Sequence, residues 1–117
     1  MQQLEYLKLK NKNMKNLING HTYELENFEN KDAKGQVLQF IHKDTTEEVP
    51  GVLYTISDGT TNEEVLEVLI DRMNYLQSKF GCRENAIVIT HLETALMWLE
   101  KRTKDRIKRN VEGKNVK

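Results

Sequence analysis

The chain has 117 residues, with 18 lysines and arginines against 18 aspartates and glutamates, 38% hydrophobic residues and a single cysteine. That length suits one small domain that buries only about two thirds of its unfolded surface, so subunit association would add to a modest stability. A lone Cys82 excludes an intrachain disulfide, and three scattered histidines offer no zinc-ligand spacing.

Charge is balanced overall but not along the chain. Residues 101–117 carry eight lysines and arginines against Asp105 and Glu112, a local +6, which leaves −6 for the hundred residues before them. Such separation points to an anionic ligand at the basic end, or to pairing of acidic and basic surfaces between subunits. No signal-peptide core, membrane-length apolar run or lipidation motif is found in the sequence, so it reads as cytosolic.

In chain order, the first sixteen residues are polar and rich in lysine and asparagine, with weak alternation at Leu7 and Leu9. They read as a short edge strand or a partly disordered arm. After the turn pair Asn19-Gly20, three short β candidates follow: HTYELENF, QVLQFIHK and VLYTIS. KDAKG and DTTEEVPG interrupt them, and Pro50 bars a continuing ladder. This spacing predicts an antiparallel sheet over residues 1–58.

From residue 59 the pattern changes to a period near 3.6. Thr61 to Glu64 form a capping box, in which the Thr61 hydroxyl accepts the Glu64 amide and the Glu64 carboxylate reaches back. Val65, Leu66, Leu69, Met73 and Leu76 make the apolar stripe of a first helix, flanked by Val68, Ile70 and Tyr75. KFGC closes it, with Gly81 as a left-handed cap and Cys82 as a small, semi-buried turn residue. A second helix follows at once, so the two fold back as an αα-hairpin. Its stripe is Ile89, Leu92, Leu96 and Leu99, flanked by Ala95 and Trp98, and Glu100–Lys104 and Asp105–Arg109 are i,i+4 ion pairs on the solvated half. The tail NVEGKNVK ends the helix and reads as loose. The whole is α+β: a small antiparallel β-sheet (1–58) followed by a two-helix antiparallel hairpin with a basic tail (59–117), one compact domain.

The second helix is apolar over a wider arc than one antiparallel neighbour can cover. Either the sheet packs on its second side or another subunit does, and Trp98 belongs to that core or interface.

Catalytic chemistry is hard to find. The sequence holds no Ser or Cys nucleophile with a His/Asp partner, no glycine-rich phosphate loop and no helical metal-ligand spacing. His91 reads as a boundary residue, and His21 and His42 have no partner visible from sequence. Binding chemistry is easier. Arg102, Arg106 and Arg109 recur at i, i+4, i+7, where guanidinium groups can grip phosphates and lie flat on a purine. Phe80, beside the hairpin turn, is placed to stack on a base. The bland alternatives are a favourable basic helix end and an aromatic plug for the turn.

The run GTTNEEVLEVLIDRMNYLQSKFGCRENAIVITHLETALMWLEKRTKDRIKRNVEG resembles the helical hairpin of phage anti-defence sponges. These are the anti-Thoeris sponge family, which sequesters glycocyclic ADP-ribose, and the smaller anti-CBASS sponge for cyclic nucleotides. The resemblance rests on REN-A at the start of the second helix, ALMWLEKRTKDR in its middle and the passage into VEG. It covers about half of the chain.

What the resemblance implies is a non-enzymatic protein without cofactors in the host cytoplasm, which binds the immune messenger and leaves it intact. In the family the pocket lies between subunits, an aromatic and an arginine hold the adenine, and assemblies are dimers or hexamers, some with further cyclic-oligonucleotide sites. Carried to this chain, Phe80 matches the aromatic and either Arg106 or Arg109 the arginine, with Arg102 on the same face. Arg83 and Asn85 open the second helix, where amides and a side-chain donor would face phosphate. The ending RNVEGKN departs from the family's RGVEGTH. Asn110 can take the glycine's left-handed conformation, but any contact of the absent Thr-His is not replaced. No polynucleotide or membrane partner is expected. The alternative function is a nucleic-acid-binding or partner-binding phage accessory module.

Overall fold

The computed structural model describes residues 14–110 and Lys114. The reading of the N-terminal stretch therefore lies outside the described residues, except that β1 (Lys15–Ile18) begins there; of the tail only Asn110 and Lys114 are described.

The fold is α+β, but the β-region is two sheets where sequence spacing predicted one. β1, β2 (Thr22–Leu25) and β3 (Gln36–Gln39) form an antiparallel sheet in that order, and β4 (His42–Thr45) pairs with β5 (Leu53–Ser57) in a second. β1 turns into β2 at Asn19-Gly20, where Gly20 takes φ +79 and His21 N donates to Ile18 O at 2.9 Å. That left-handed turn is one glycine adopts without steric cost. The loop to β3 is organised by Asn27, whose amide donates to Lys34 O at 3.0 Å and accepts from Gln36 Nε2 at 2.7 Å.

The expected strand QVLQFIHK is divided at Phe40-Ile41. Phe40 N still donates to His21 O at 2.7 Å, but Ile41 N donates to Thr60 O at 2.9 Å and Thr60 N to Gln39 O at 2.9 Å. The chain thus changes partners at a corner, exchanging β2 for the segment that leads into the first helix. His21 and His42 meet at this corner as stacked rings, 3.7 Å between centroids and 9° from parallel. Each is the partner that the sequence did not reveal for the other.

α1 (Asn62–Lys79) and α2 (Arg83–Lys108) form the antiparallel hairpin. Half of the capping box is as expected: Glu64 N donates to Thr61 Oγ1 at 3.2 Å. The Glu64 carboxylate instead accepts from the Thr60 hydroxyl at 3.2 Å. On α1 the inward stripe is Val65, Leu66, Ile70, Met73 and Leu76, all half-buried. Leu69, expected in that stripe, is exposed, and Ile70, expected on its flank, takes the inner place. On α2 Ile89, Leu92, Leu96 and Leu99 face inward at alternating steps of three and four, and the same stripe runs on through Thr103 to Arg106. Of the two expected ion pairs only Arg109–Asp105 forms, Nε to Oδ2 at 2.9 Å.

The hairpin turn also differs from expectation. Gly81 has no left-handed φ. The turn is held by Gln77, whose Nε2 donates to Cys82 O and whose Oε1 accepts from Cys82 N, both at 3.1 Å. Cys82, expected to be semi-buried, is exposed and caps α2, its Sγ accepting from Asn85 N at 3.4 Å.

Neither sheet packs across either helix, and among the described residues no apolar side chain is buried. Of the two covers expected for the apolar arc of α2, the sheet or another subunit, the sheet does not supply one.

Candidate nucleotide site at the two ends of the hairpin

At the turn, α1 ends on Phe80, whose amide donates to Leu76 O at 2.9 Å and whose side chain extends into solvent, 87% exposed. The Gln77–Cys82 clamp fixes the short link to α2, so the ring is presented from a defined turn. Arg83 is exposed at the first position of α2 and lines a recess of about 220 Å³ with Ile87, Thr90 and His91. His91, expected at a boundary, is exposed. Asn85 is half-buried, its amide engaged by Cys82 Sγ.

At the other end, the three arginines occupy three environments. Arg102 is exposed. Arg106 ends the inward stripe, 4% exposed, and its Nη2 donates to Lys114 O at 2.7 Å. Arg109 caps α2 and binds Asp105, which leaves its side chain 47% exposed. Asn110 follows at φ 58, the left-handed conformation that lets the chain turn back. Lys114 then bridges to Val52 beside the β4–β5 turn. Lys101 Nζ stands over the Trp98 ring at 4.8 Å, one turn before the arginines.

The structure therefore divides the candidate site residues into two groups. Phe80, Arg83 and Asn85 lie together at the turn; Arg102, Arg106 and Arg109 lie together at the far end of α2. From Arg83 to Arg106 the helix rises roughly 35 Å at 1.5 Å per residue. A single chain cannot close both groups on one small molecule.

Sequence reasoning missed a larger concavity. About 630 Å³ of space lies between the first sheet and the start of α1, lined by Tyr23, Leu38, Phe40 and Ile41 with His21 and Asn62 among the polar groups. Tyr23 and Phe40 meet edge to face at 6.0 Å. The aromatic content of HTYELENF and QVLQFIHK was the signal, and strand periodicity absorbed it. Among the described residues no three of His, Cys, Asp or Glu gather as a metal site, and no helix is long and apolar enough to cross a membrane.

Comparison with known proteins bears on this geometry. Residues 29–104 match the Acb2/Tad1, hairpin domain, family. The chain is also 52% identical over 62 residues to Thoeris anti-defense 1 from Bacillus phage SBSphiJ7. That alignment takes in 52% of this chain and 44% of the relative, so the chain matches less than half of that protein's length. With an αα-hairpin in the structure and a family match extending over most of its residues, the chain belongs to the Acb2/Tad1 hairpin-domain family.

Proposed function

We propose that this chain is a phage anti-defence protein that opposes Thoeris signalling by sequestering a cyclic ADP-ribose-type nucleotide, unaltered, between two protomers in the host cytoplasm. The observation that carries the reading is the distance along α2 between Phe80 and the basic helix end. An adenine held between an aromatic and an arginine must then take Phe80 from one protomer and the arginine from another. Of the two candidate arginines, Arg109 has accessible side-chain surface, while Arg106 is engaged with Lys114.

Association is supported by the apolar side chains that α2 leaves exposed, Ile87, Val88, Met97 and Trp98 among them. It is also supported by magnitude. Competing with a sensor requires a dissociation constant well below micromolar, more than about 8 kcal/mol. One stacked base contributes about 1–3 kcal/mol. The rest must come from charge-assisted phosphate bonds in a site that excludes water, which an open hairpin surface lacks and a two-protomer pocket supplies. Sequestration needs no general base, nucleophile or cofactor.

The test is complementation. Phe80→Ala and Arg109→Ala chains bind cyclic ADP-ribose isomers poorly when separate; unfolded together and refolded as a mixture, they regain about a quarter of the sites, because a random mixture joins each intact half that often. Ligand released by denaturation has its original mass and retention. No recovery on mixing would place both residues in one protomer's site, and a hydrolysed or rearranged product would replace sequestration with catalysis.

A further inference from the structure

The concavity between the first sheet and the start of α1 has a chemistry unlike that of the helix ends. It measures about 630 Å³, within the size range of small-molecule sites. Tyr23 and Phe40 form its aromatic wall, with Leu38 and Ile41 beside them. Their rings meet edge to face at 6.0 Å, so the ring that offers its edge keeps both faces clear of the other. Among the described residues no lysine or arginine lines this space, and Glu63 is the one acid that does.

Glu63 differs from the residues around it. The Thr60 hydroxyl is spent on the Glu64 carboxylate, Thr61 Oγ1 on the Glu64 amide, and the Thr60 backbone on Gln39 and Ile41. The Glu63 side chain is half-buried, yet among the described residues it makes no hydrogen bond or ion pair. A carboxylate partly withdrawn from water without a partner costs free energy that an incoming cation recovers. The start of a helix by itself favours an anion, but Glu63 and Glu64 already place two negative charges on that turn.

The walls then decide which cation fits. An ammonium ion is compact and strongly hydrated, and Leu38, Ile41 and Phe40 cannot replace its water. An amidinium or guanidinium is flat, delocalised and weakly hydrated. It can lie on an aromatic face while two parallel N–H groups donate from its edge to both oxygens of a carboxylate. We propose that this concavity binds such a planar organic cation, stacked on the Tyr23–Phe40 wall and paired with Glu63. The space exceeds one guanidinium group, so Leu38 and Ile41 meet the apolar body that carries it. A small aryl amidine and the arginine side chain of a polypeptide offer the same chemistry. Neither Glu63 nor the β-region enters the nucleotide reading, so failure here leaves that reading untouched.

Titration of the full chain with benzamidine, followed by NMR of the Tyr23, Phe40 and Ile41 signals, tests it. N-acetylarginine amide stands for the polypeptide source, and the tighter of the two cations identifies which source the site prefers. Either one shifts these signals saturably, and Glu63→Gln weakens that binding about tenfold or more through loss of a charge-assisted pair. The substitution conserves size and leaves the Thr61–Glu64 cap in place, so far-UV circular dichroism remains that of wild type. Neutral benzamide binding as tightly as benzamidine, or N-acetyllysine amide as tightly as the arginine compound, overturns the proposal. So does inorganic phosphate shifting the same signals, undiminished binding by Glu63→Gln, or no saturable shift with either planar cation.

Discussion

Arg106 donates from Nη2 to the carbonyl oxygen of Lys114 at 2.7 Å, joining the inner stripe of α2 to the returning tail. Lys114 in turn bridges Val52, so this one side chain connects helix, tail and the β4–β5 turn. Arg109, three residues on, lies at the surface with Asp105. One helical repeat in sequence has given two arginines different work.

Arg106→Ala is therefore expected to lower stability by about 1–3 kcal/mol, the penalty for leaving buried polar partners unmet. Arg109→Ala removes an exposed i,i+4 pair and is expected to change stability by no more than about 0.5 kcal/mol. Urea denaturation at a fixed protein concentration measures both. Should Arg106→Ala unfold at the wild-type midpoint, the Lys114 contact is not a structural one.

Phe80 offers a cleaner separation of folding from binding. Its ring is too exposed to hold the hairpin together, so Phe80→Ala is expected to leave unliganded stability within about 0.5 kcal/mol of wild type. Loss of one stacked base predicts a fall in nucleotide affinity of roughly 5- to 150-fold, the equivalent of about 1–3 kcal/mol. Isothermal titration with the cyclic ADP-ribose isomers is the measurement. Unchanged affinity for a ligand that still binds would remove Phe80 from the pocket.

Local chemistry was legible in the sequence and long-range exchange was not. The period of Val65 to Leu76 and of Ile89 to Leu99, the Thr61 cap and the short link at residues 80–82 are written within a turn or two of chain, and they specified the hairpin. The break at Phe40-Ile41 was hidden because its cause is Thr60, twenty residues away, competing for the same backbone groups. The His21–His42 stack depends on the same corner. Arg106 looked like its neighbours because helical spacing gives a side chain's direction, while its burial depends on where Lys114 returns. The two-group division of the candidate site was implicit in the helix length, yet it acquired meaning only when no sheet or loop was found to bring the ends together.

The hairpin turn tests the role of a side chain that spacing did not suggest. Gln77 makes both bonds to the Cys82 backbone, so Gln77→Ala is expected to cost about 1–2 kcal/mol. Gly81, by contrast, needs no left-handed conformation, and Gly81→Ala is expected to cost less than Gly20→Ala. At Gly20, with φ +79 and open space around the new methyl group, about 1–2 kcal/mol arises from backbone conformation alone. Denaturation midpoints of the three variants order them. A Gly81→Ala penalty above that of Gly20→Ala would restore Gly81 as the residue that makes the turn.

On the proposed two-protomer reading, Trp98 is the residue that would link assembly to binding. Val88, His91, Ala95, Trp98 and Arg102 follow one another at alternating steps of three and four along an exposed face of α2, so the apolar half of that face leads directly into the arginines. Trp98 is 55% exposed, too open to anchor a protomer's own packing and large enough to anchor a partner's. Trp98→Ala is expected to weaken self-association by at least about 2 kcal/mol, near thirtyfold, with little change in the far-UV circular dichroism of the separated protomer. Nucleotide affinity measured at the same concentrations is expected to fall in parallel, because a protomer without its neighbour has Phe80 at one end of the hairpin and Arg109 at the other. A Trp98→Ala protein that sediments as a monomer and still binds nucleotide at full affinity would dismiss the two-protomer pocket, whatever the arginine variants show.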